Sequence, residues 1–307
     1  MKKIFLLTAC CMLAFCGSAY AQGTLKNEVK FHKNDTTIYT THNSITAMGQ
    51  NIEMNNKMLF VVKDADADGY IVEQSYEMDA PASDNTDLSS AAFMFYNLLR
   101  DQKLQLRLDK DGVVKNVLNH DELLATSKKL CQEMYDKMLK EQPEIGAVIT
   151  KEKFSAMVED QMTEENIIKS LQEYYCIFMF NGKPLVNGAN EQYTDLQGIK
   201  LNRFYFVASK SPLKVKVTES SAMTKDEWKA LILKQVKNMF PDQADMIESQ
   251  IDSVLDSGMI KTELKSSKEV EYFPNGWEKS FKSTSQQSLM GQETTVETTV
   301  ECTYHNW

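Results

Sequence analysis

An acidic segment near the N-terminus has the spacing of a calcium-binding loop. Asp64, Asp66 and Asp68 occupy the first, third and fifth positions of such a loop, and Gly69 stands at the sixth, where the backbone turns. The twelfth position should carry a bidentate glutamate but is Ser75, and the flanking residues have the pattern of strands rather than helices. An Asp-Gly hairpin with solvated carboxylates explains the same residues. The segment is therefore a weak calcium candidate, and we predict no bound metal.

The sequence contains one short match to a catalytic motif. Ser211-Pro212-Leu213-Lys214 has the S-x-x-K form of a penicillin-binding serine, but the accompanying S-D-N and K-T-G motifs do not occur. The sequence contains no G-x-S-x-G, no H-E-x-x-H and no glycine-rich phosphate loop. We therefore predict no catalytic residue, no cofactor and no enzymatic activity. The alternative is an envelope hydrolase whose site is assembled from residues distant in the sequence.

Methionine is unusually frequent, with 17 residues, and several lie on predicted helical stripes. Methionine adapts to irregular surfaces, so such stripes suit either ordinary core packing or the wall of an apolar binding site. The two stripes that we predict to line a ligand site are Trp228, Leu231 and Met239, and Leu130, Met134 and Met138.

The N-terminus has the layout of a secretory signal peptide. Lys2 and Lys3 precede an apolar run over residues 4–15, and Ala19-Tyr20-Ala21 matches a small-x-small cleavage site. We expect an exported protein of the periplasm or cell surface. Lipid anchoring at Cys16 is the alternative, although the residue before it is a bulky phenylalanine.

Three of the six cysteines would leave with this leader, so the mature chain would keep Cys131, Cys176 and Cys302, an odd number that cannot pair completely. The formal net charge of −9 argues against a nucleic-acid partner, which requires a basic surface. Beyond the leader, no apolar run approaches the roughly 20 residues of a membrane span.

The elements that must position any site are strands at both ends of the chain and helices between them. Residues 25–78 and 266–304 are rich in β-branched and aromatic residues separated by turn-forming residues. Further strands are predicted over 104–114, 176–180, 201–207 and 213–217, and helices over 88–99, 119–142 and 150–175 and after Thr224 and Pro241.

This order predicts an α+β fold in which a large curved antiparallel sheet, open or half-closed, is covered by helical hairpins. We expect a signal peptide over residues 1–21 and one domain over 22–307, with a split near residue 180 as the alternative. A gap between the sheet and the helices would hold a lipid-like apolar ligand or another envelope protein. A structural or interaction protein without a ligand pocket is the remaining alternative.

Several turn motifs together resemble a known layout. They are Gly49-Gln50, Asp68-Gly69-Tyr70, Asp109 to Val114, Asn181-Gly182-Lys183 and Asn275-Gly276-Trp277. The arrangement resembles that of secreted domain-of-unknown-function proteins of Gram-negative anaerobes, which implies an envelope location and assigns no catalytic residue. A sheet covered by helices is also similar, in architecture alone, to the scaffold of periplasmic lipoprotein carriers.

Overall fold

An eleven-stranded antiparallel sheet dominates the computed structural model. The structure describes residues 24–307 except for 48–49, 79–101, 142, 144–145, 147–149, 174–176, 196, 240–243, 257–263 and 290–291. The predicted signal peptide, Cys16, Cys176, the helix over 88–99 and the start of the helix at Pro241 lie outside the described residues. No described helix is both long and apolar enough to cross a membrane.

The strands are β1 Thr36–Ala47, β2 Gln50–Asp66, β3 Gly69–Met78, β4 Lys103–Asp109, β5 Val114–Val117, β6 Asn190–Thr194, β7 Lys200–Lys210, β8 Leu213–Ser221, β9 Leu264–Tyr272, β10 Glu278–Leu289 and β11 Gln292–His305. The described helices are α1 His120–Glu141, α2 Lys151–Gln161, α3 Glu164–Glu173, α4 Lys225–Met239 and α5 Ala244–Asp256.

The two ends of the chain meet in the middle of the sheet. The strand order is β5-β4-β3-β2-β1-β11-β10-β9-β8-β7-β6. The first strand of the chain, β1, pairs with the last, β11, along almost its whole length. The two predicted strand blocks therefore belong to one sheet, and the helices α1 to α3 lie in sequence between its two edge strands, β5 and β6. Among the described strands, β5 and β6 do not pair with each other, so the sheet is open. The prediction of an α+β fold with a large open antiparallel sheet is confirmed.

One face of the sheet, which we call the core face, carries the main hydrophobic core at one end of the long strands. Phe60 of β2 lies edge-on to Phe178 with ring centroids 5.8 Å apart, and Phe31 stacks on Trp277 at 4.1 Å. The apolar run over 176–180 was predicted to be a strand. Its described part, 177–180, is instead a buried turn. Apolar content alone does not distinguish the two, because both bury continuous apolar residues.

Two asparagines join four separate segments at the end of this core. Asn27 Nδ2 donates to Asn181 Oδ1 at 2.7 Å and to the carbonyl of Gly276 at 2.9 Å, while Asn181 Nδ2 donates to the carbonyl of Gly112 at 3.1 Å. Gly276 has φ of +90°, and a Cβ there would lie 2.6 Å from the carbonyl oxygen of Glu28. Three of the turn motifs named above therefore meet at one buried contact.

The predicted helix over 150–175 is two helices in the structure. Helix α2 ends at Gln161, and α3 begins at Glu164 after Thr163, whose Oγ1 accepts a hydrogen bond from the backbone N–H of Asn166 at 3.3 Å. A threonine at this position can cap a new helix, so continuous apolar periodicity did not reveal the break.

Helix α4 begins where its capping box predicts. The backbone N–H of Glu227 donates to Thr224 Oγ1 at 3.3 Å, and the backbone N–H of Thr224 donates to Glu227 Oε2 at 2.8 Å. These reciprocal bonds satisfy donors that the first turn of a helix leaves unpaired.

Candidate functional site

A groove on the core face lies beyond the hydrophobic core, over strands β6 to β11. Its volume is about 260 Å³, and its walls include Ser266, Lys268, Ser283, Ser285 and Gln287. Alternate residues of a strand point to the same face, so these side chains share the face of the buried core residue Phe281. The core face therefore changes from apolar to polar along the length of β10.

The polarity also changes across the sheet, along one row of directly paired residues. From β2 to β6 this cross-strand row is Ile52, Ile45, Val296, Ser285, Ser266, Glu219, Arg203 and Glu191. Side chains that are directly opposite each other in an antiparallel pair have Cβ atoms about 4.5–5.5 Å apart and are in contact range. The row is thus apolar on β2, β1 and β11, hydroxylated on β10 and β9, and charged on β8, β7 and β6.

Glu219 anchors the charged end of the row. Its buried carboxylate accepts hydrogen bonds from four side chains, namely Tyr193 Oη at 2.8 Å, Arg203 Nε at 2.8 Å, Ser266 Oγ at 2.5 Å and Lys268 Nζ at 3.2 Å. Burial raises the pKa of Glu219, but the charges of Lys268 and Arg203 outweigh it and hold the pKa at about 2. A carboxylate offers about four lone-pair sites, so Glu219 is saturated and stays ionised.

Arg203 connects Glu219 to a second carboxylate. Its Nη2 lies 2.7 Å from Glu219 Oε1, although only its Nε is aligned to donate a hydrogen bond to that carboxylate. Its guanidinium carbon lies 3.8 Å from the centre of the Tyr193 ring. Glu191 accepts from Lys183 Nζ at 2.6 Å and lies 3.5 Å from Arg203 Nη1. The charges of this end of the row are therefore largely compensated by one another.

Asp195 adds one more carboxyl to the wall of the groove. Burial raises its pKa, against the opposing effect of hydrogen bonds that its Oδ1 accepts from the backbone N–H groups of Ile199 and Gln197 at 2.8 and 2.9 Å. This carboxyl closes the β6–β7 turn as well as facing the groove.

Within the described part of the chain, three polar side chains of the groove are free, whereas Thr298 Oγ1 donates to Asn43 Oδ1 at 2.8 Å. Among the described residues, the side chains of Ser283, Ser285 and Gln287 have no hydrogen-bond partner, although all three are half-buried. Lys268 is directly opposite Ser283, and Ser266 is directly opposite Ser285. Two hydroxyls and one amide are thus free to donate and accept within the groove.

The first predicted ligand-lining stripe lies behind the groove rather than in it. Trp228 is buried and packs with Leu231 against Ile199 and Leu201, and Leu201 in turn lines the groove. Met239 is the last residue of α4, and its side chain is outside what the structure describes. This stripe supports a wall of the groove without being part of its surface.

The second predicted stripe lies on α1, away from the groove. Leu130, Met134 and Met138 are half-buried, whereas the buried stripe of the helix runs through Leu123, Ser127, Cys131 and Tyr135. Tyr135 contacts Phe154 of α2 with ring centroids 5.7 Å apart. Leu130 and Met134 each lie one position before a buried residue of that stripe, Cys131 or Tyr135. The structure does not bring the two predicted stripes together around the groove.

The calcium candidate is a hairpin turn. Asp66 ends β2, and both of its carboxylate oxygens accept from Arg107 at 2.9 Å, while Asp64 lies 3.3 Å from Lys33 Nζ. Asp66 also accepts from the backbone N–H of Asp68 at 2.8 Å. Within the described residues, no group of three or more His, Cys, Asp or Glu side chains is placed to hold a metal ion.

Another carboxyl, that of Glu278, is sealed inside the protein. Glu278 is fully buried, and neither of its oxygens has a hydrogen-bond partner among the described residues. Burial raises its pKa well above the ordinary value of 4.5. It has no access to solvent, so it cannot exchange a proton with a substrate in the groove.

The groove residues were missed at the sequence level, although a signal was present. Residues 282–288 read Lys-Ser-Thr-Ser-Gln-Gln-Ser, a predicted strand in which neither set of alternate residues is apolar. A strand in the middle of a sheet normally buries apolar residues on at least one face. A polar strand in the middle of a sheet therefore indicates that part of the sheet face does not pack against the hydrophobic core.

No protein-family description matches the chain, and no curated protein is significantly similar to it.

Proposed function

We propose that the protein is a non-catalytic binding protein of the cell envelope that holds one amphiphilic molecule on the core face. The cross-strand row carries this proposal, because its polarity changes in the order that an amphiphile presents. An apolar tail would lie along Ile52, Ile45 and Val296, and the polar head group would occupy the groove near Ser285 and Ser266.

The size of the groove supports this division of the ligand. Complete small-molecule pockets usually measure about 300–1,000 Å³. The groove, at about 260 Å³, is smaller and fits a head group better than a whole lipid. A tail would then extend over the apolar residues of the row, of which Ile45 and Val296 are half-buried and Ile52 is buried. Each methylene that the tail buries contributes roughly 0.8 kcal/mol.

Binding is favoured over catalysis by the state of the acidic groups. Glu219, the most buried carboxylate of the groove, accepts from four donors and has a pKa of about 2, so it is a poor general acid or base near neutral pH. Glu278 is sealed from the groove. The hydrolase alternative would need a turnover that is lost when Asp195, the remaining carboxyl, is replaced by asparagine.

The test is to identify the molecules that accompany the natively purified protein, by native mass spectrometry followed by extraction. We expect an amphiphile with the wild type and at least about a tenfold loss in Val296→Gln, which places an amide in the tail path. Thr295→Gln is the matched control, because residue 295 points to the opposite face. No bound amphiphile, or equal loss in both variants, would overturn the proposal.

We further propose that the chain is exported after removal of residues 1–21, because charged, apolar and small residues follow one another as in a signal peptide. N-terminal sequencing of protein recovered from the exporting cell should begin at Gln22. A mature N-terminus at Cys16, or an uncleaved chain, would contradict this.

A further inference from the structure

We infer that the head group bound in the groove is neutral and rich in hydroxyls, as in a polyol or saccharide, rather than an anion or a cation. This inference rests on the proposed function and specifies the chemistry of its polar end. It depends on which groups of the groove are already committed and which are free.

The charged groups are committed to each other. Lys268 Nζ lies 3.2 and 3.1 Å from the two oxygens of Glu219, and Arg203 bonds the same carboxylate. An anionic head group would have to compete with Glu219 for Lys268 and would face Asp195 across the groove. A cationic head group would lie beside the ammonium of Lys268. A head group of either charge would therefore lie near a group of like charge in a partly desolvated site, which makes its binding free energy less favourable.

The free groups have the opposite character. Ser283, Ser285 and Gln287 alternate on β10 along the core face, so neighbouring members are roughly 6.5–7 Å apart. Each hydroxyl can donate one hydrogen bond and accept two, and the amide can do both. A head group with several hydroxyls offers the same mixture of donors and acceptors, whereas a phosphate offers mainly acceptors and a trimethylammonium group offers neither.

The free groups also lie next to the end of the proposed path of the apolar tail. Ser285 is directly paired with Val296, the last apolar residue of the cross-strand row. A tail that ends over Val296 would therefore place the first atoms of its head group over Ser285, with Ser283 and Gln287 on either side along the strand.

The experiment compares amphiphiles that share a dodecyl tail and differ in head group: dodecyl maltoside, dodecyl phosphate and dodecyltrimethylammonium. Binding is measured by isothermal titration calorimetry on delipidated mature protein, below the micelle-forming concentration of each compound. We expect dodecyl maltoside to bind at least about tenfold more tightly than either charged compound. Free maltose, added as a fourth ligand, should bind far more weakly than its dodecyl derivative.

Two variants locate the effect. Ser283→Ala and Ser285→Ala together should weaken dodecyl maltoside about fivefold or more, since each lost hydrogen bond is worth roughly 0.5–1.5 kcal/mol. They should leave the affinity for dodecyltrimethylammonium, whose head group forms no hydrogen bond, within about twofold. Thr284→Ala is the matched control, because residue 284 lies between them and points to the other face.

The possible failures are separable. If a charged compound binds best, or all three bind equally, the head-group inference is wrong while amphiphile binding stands. If free maltose binds as tightly as dodecyl maltoside, the tail contributes nothing and the proposed function is wrong. If no compound binds, both are wrong.

Discussion

Glu278 is the residue whose replacement tests the physical reasoning most sharply. Its carboxyl is fully buried, and burial alone raises its pKa well above 4.5. The groups near it, Tyr39, Tyr272 and Cys302, bring no positive charge, and burial raises the pKa of Tyr39 and of Cys302 as well. Glu278 should therefore stay protonated in the folded protein at neutral pH.

The sign of the effect on stability follows from proton counting. Below about pH 4.5 both the folded and the unfolded chain hold this proton, so Glu278 contributes no pH dependence. Above that pH the unfolded chain loses the proton while the folded chain keeps it. Unfolding then releases one proton, and the free energy of unfolding falls by about 1.4 kcal/mol for each pH unit, up to the folded pKa.

The assay is urea denaturation of the wild type and of Glu278→Gln across a series of pH values. A glutamine cannot ionise, so the variant should lack this decline. Between about pH 5.5 and 7, the free energy of unfolding of the wild type should fall by about 2 kcal/mol relative to that of the variant. Glu301→Gln is the control, because Glu301 is exposed on β11. Parallel pH profiles for the wild type and Glu278→Gln would show that Glu278 is ionised in the folded state and would refute the reasoning.

Three other outcomes are expected. Glu219→Ala should destabilise the fold by about 3–5 kcal/mol in denaturant titrations, because it leaves the buried charges of its partners unpaired; a loss below about 1 kcal/mol would contradict the network. Thr224→Ala should cost about 1 kcal/mol through loss of its cap, with recovery in Thr224→Ser, and an unchanged Thr224→Ala would show that the cap contributes nothing. Millimolar Ca²⁺ against chelator should move the melting temperature by less than about 1 °C, because Arg107 holds both oxygens of Asp66; a clear shift that Asp66→Ala removes would establish a calcium site.

Local sequence patterns were sufficient for most of the sheet. The alternating residues and Asp-Gly turn over 104–114 predicted the β4–β5 hairpin, and the capping box at Thr224 predicted the start of α4. These elements depend on residues within a few positions of one another. The open antiparallel architecture followed from having strands at both chain ends, because two such blocks most simply share one sheet.

The polar strand over 282–288 indicates an unusual face, but the position and lining of the groove could not be predicted, because they depend on the register between strands distant in the sequence. Glu219, Ser266, Ser285 and Val296 become neighbours only through the pairing of β8, β9, β10 and β11. No short motif records that pairing. The same holds for Asn27, which contacts residues 154 and 249 positions away.

The predicted stripe on α1 also differs from the buried stripe of that helix. Cys131 and Tyr135 are buried, each one position after a predicted residue, Leu130 or Met134, which is half-buried. Apolar character alone does not choose between such neighbouring positions. A groove lined by serines, a lysine and a glutamine is similarly invisible to a search for apolar walls.

The central claim is that an amphiphile lies along the cross-strand row, and photo-crosslinking tests it most directly. A dodecyl glycoside with a diazirine in its tail should label Ile45, Ile52, Val296 or their immediate neighbours on the core face, as mapped by peptide mass spectrometry. Excess dodecyl maltoside should abolish the labelling. Labelling confined to the α1 stripe of Leu130, Met134 and Met138, or spread evenly over the surface, would contradict the account.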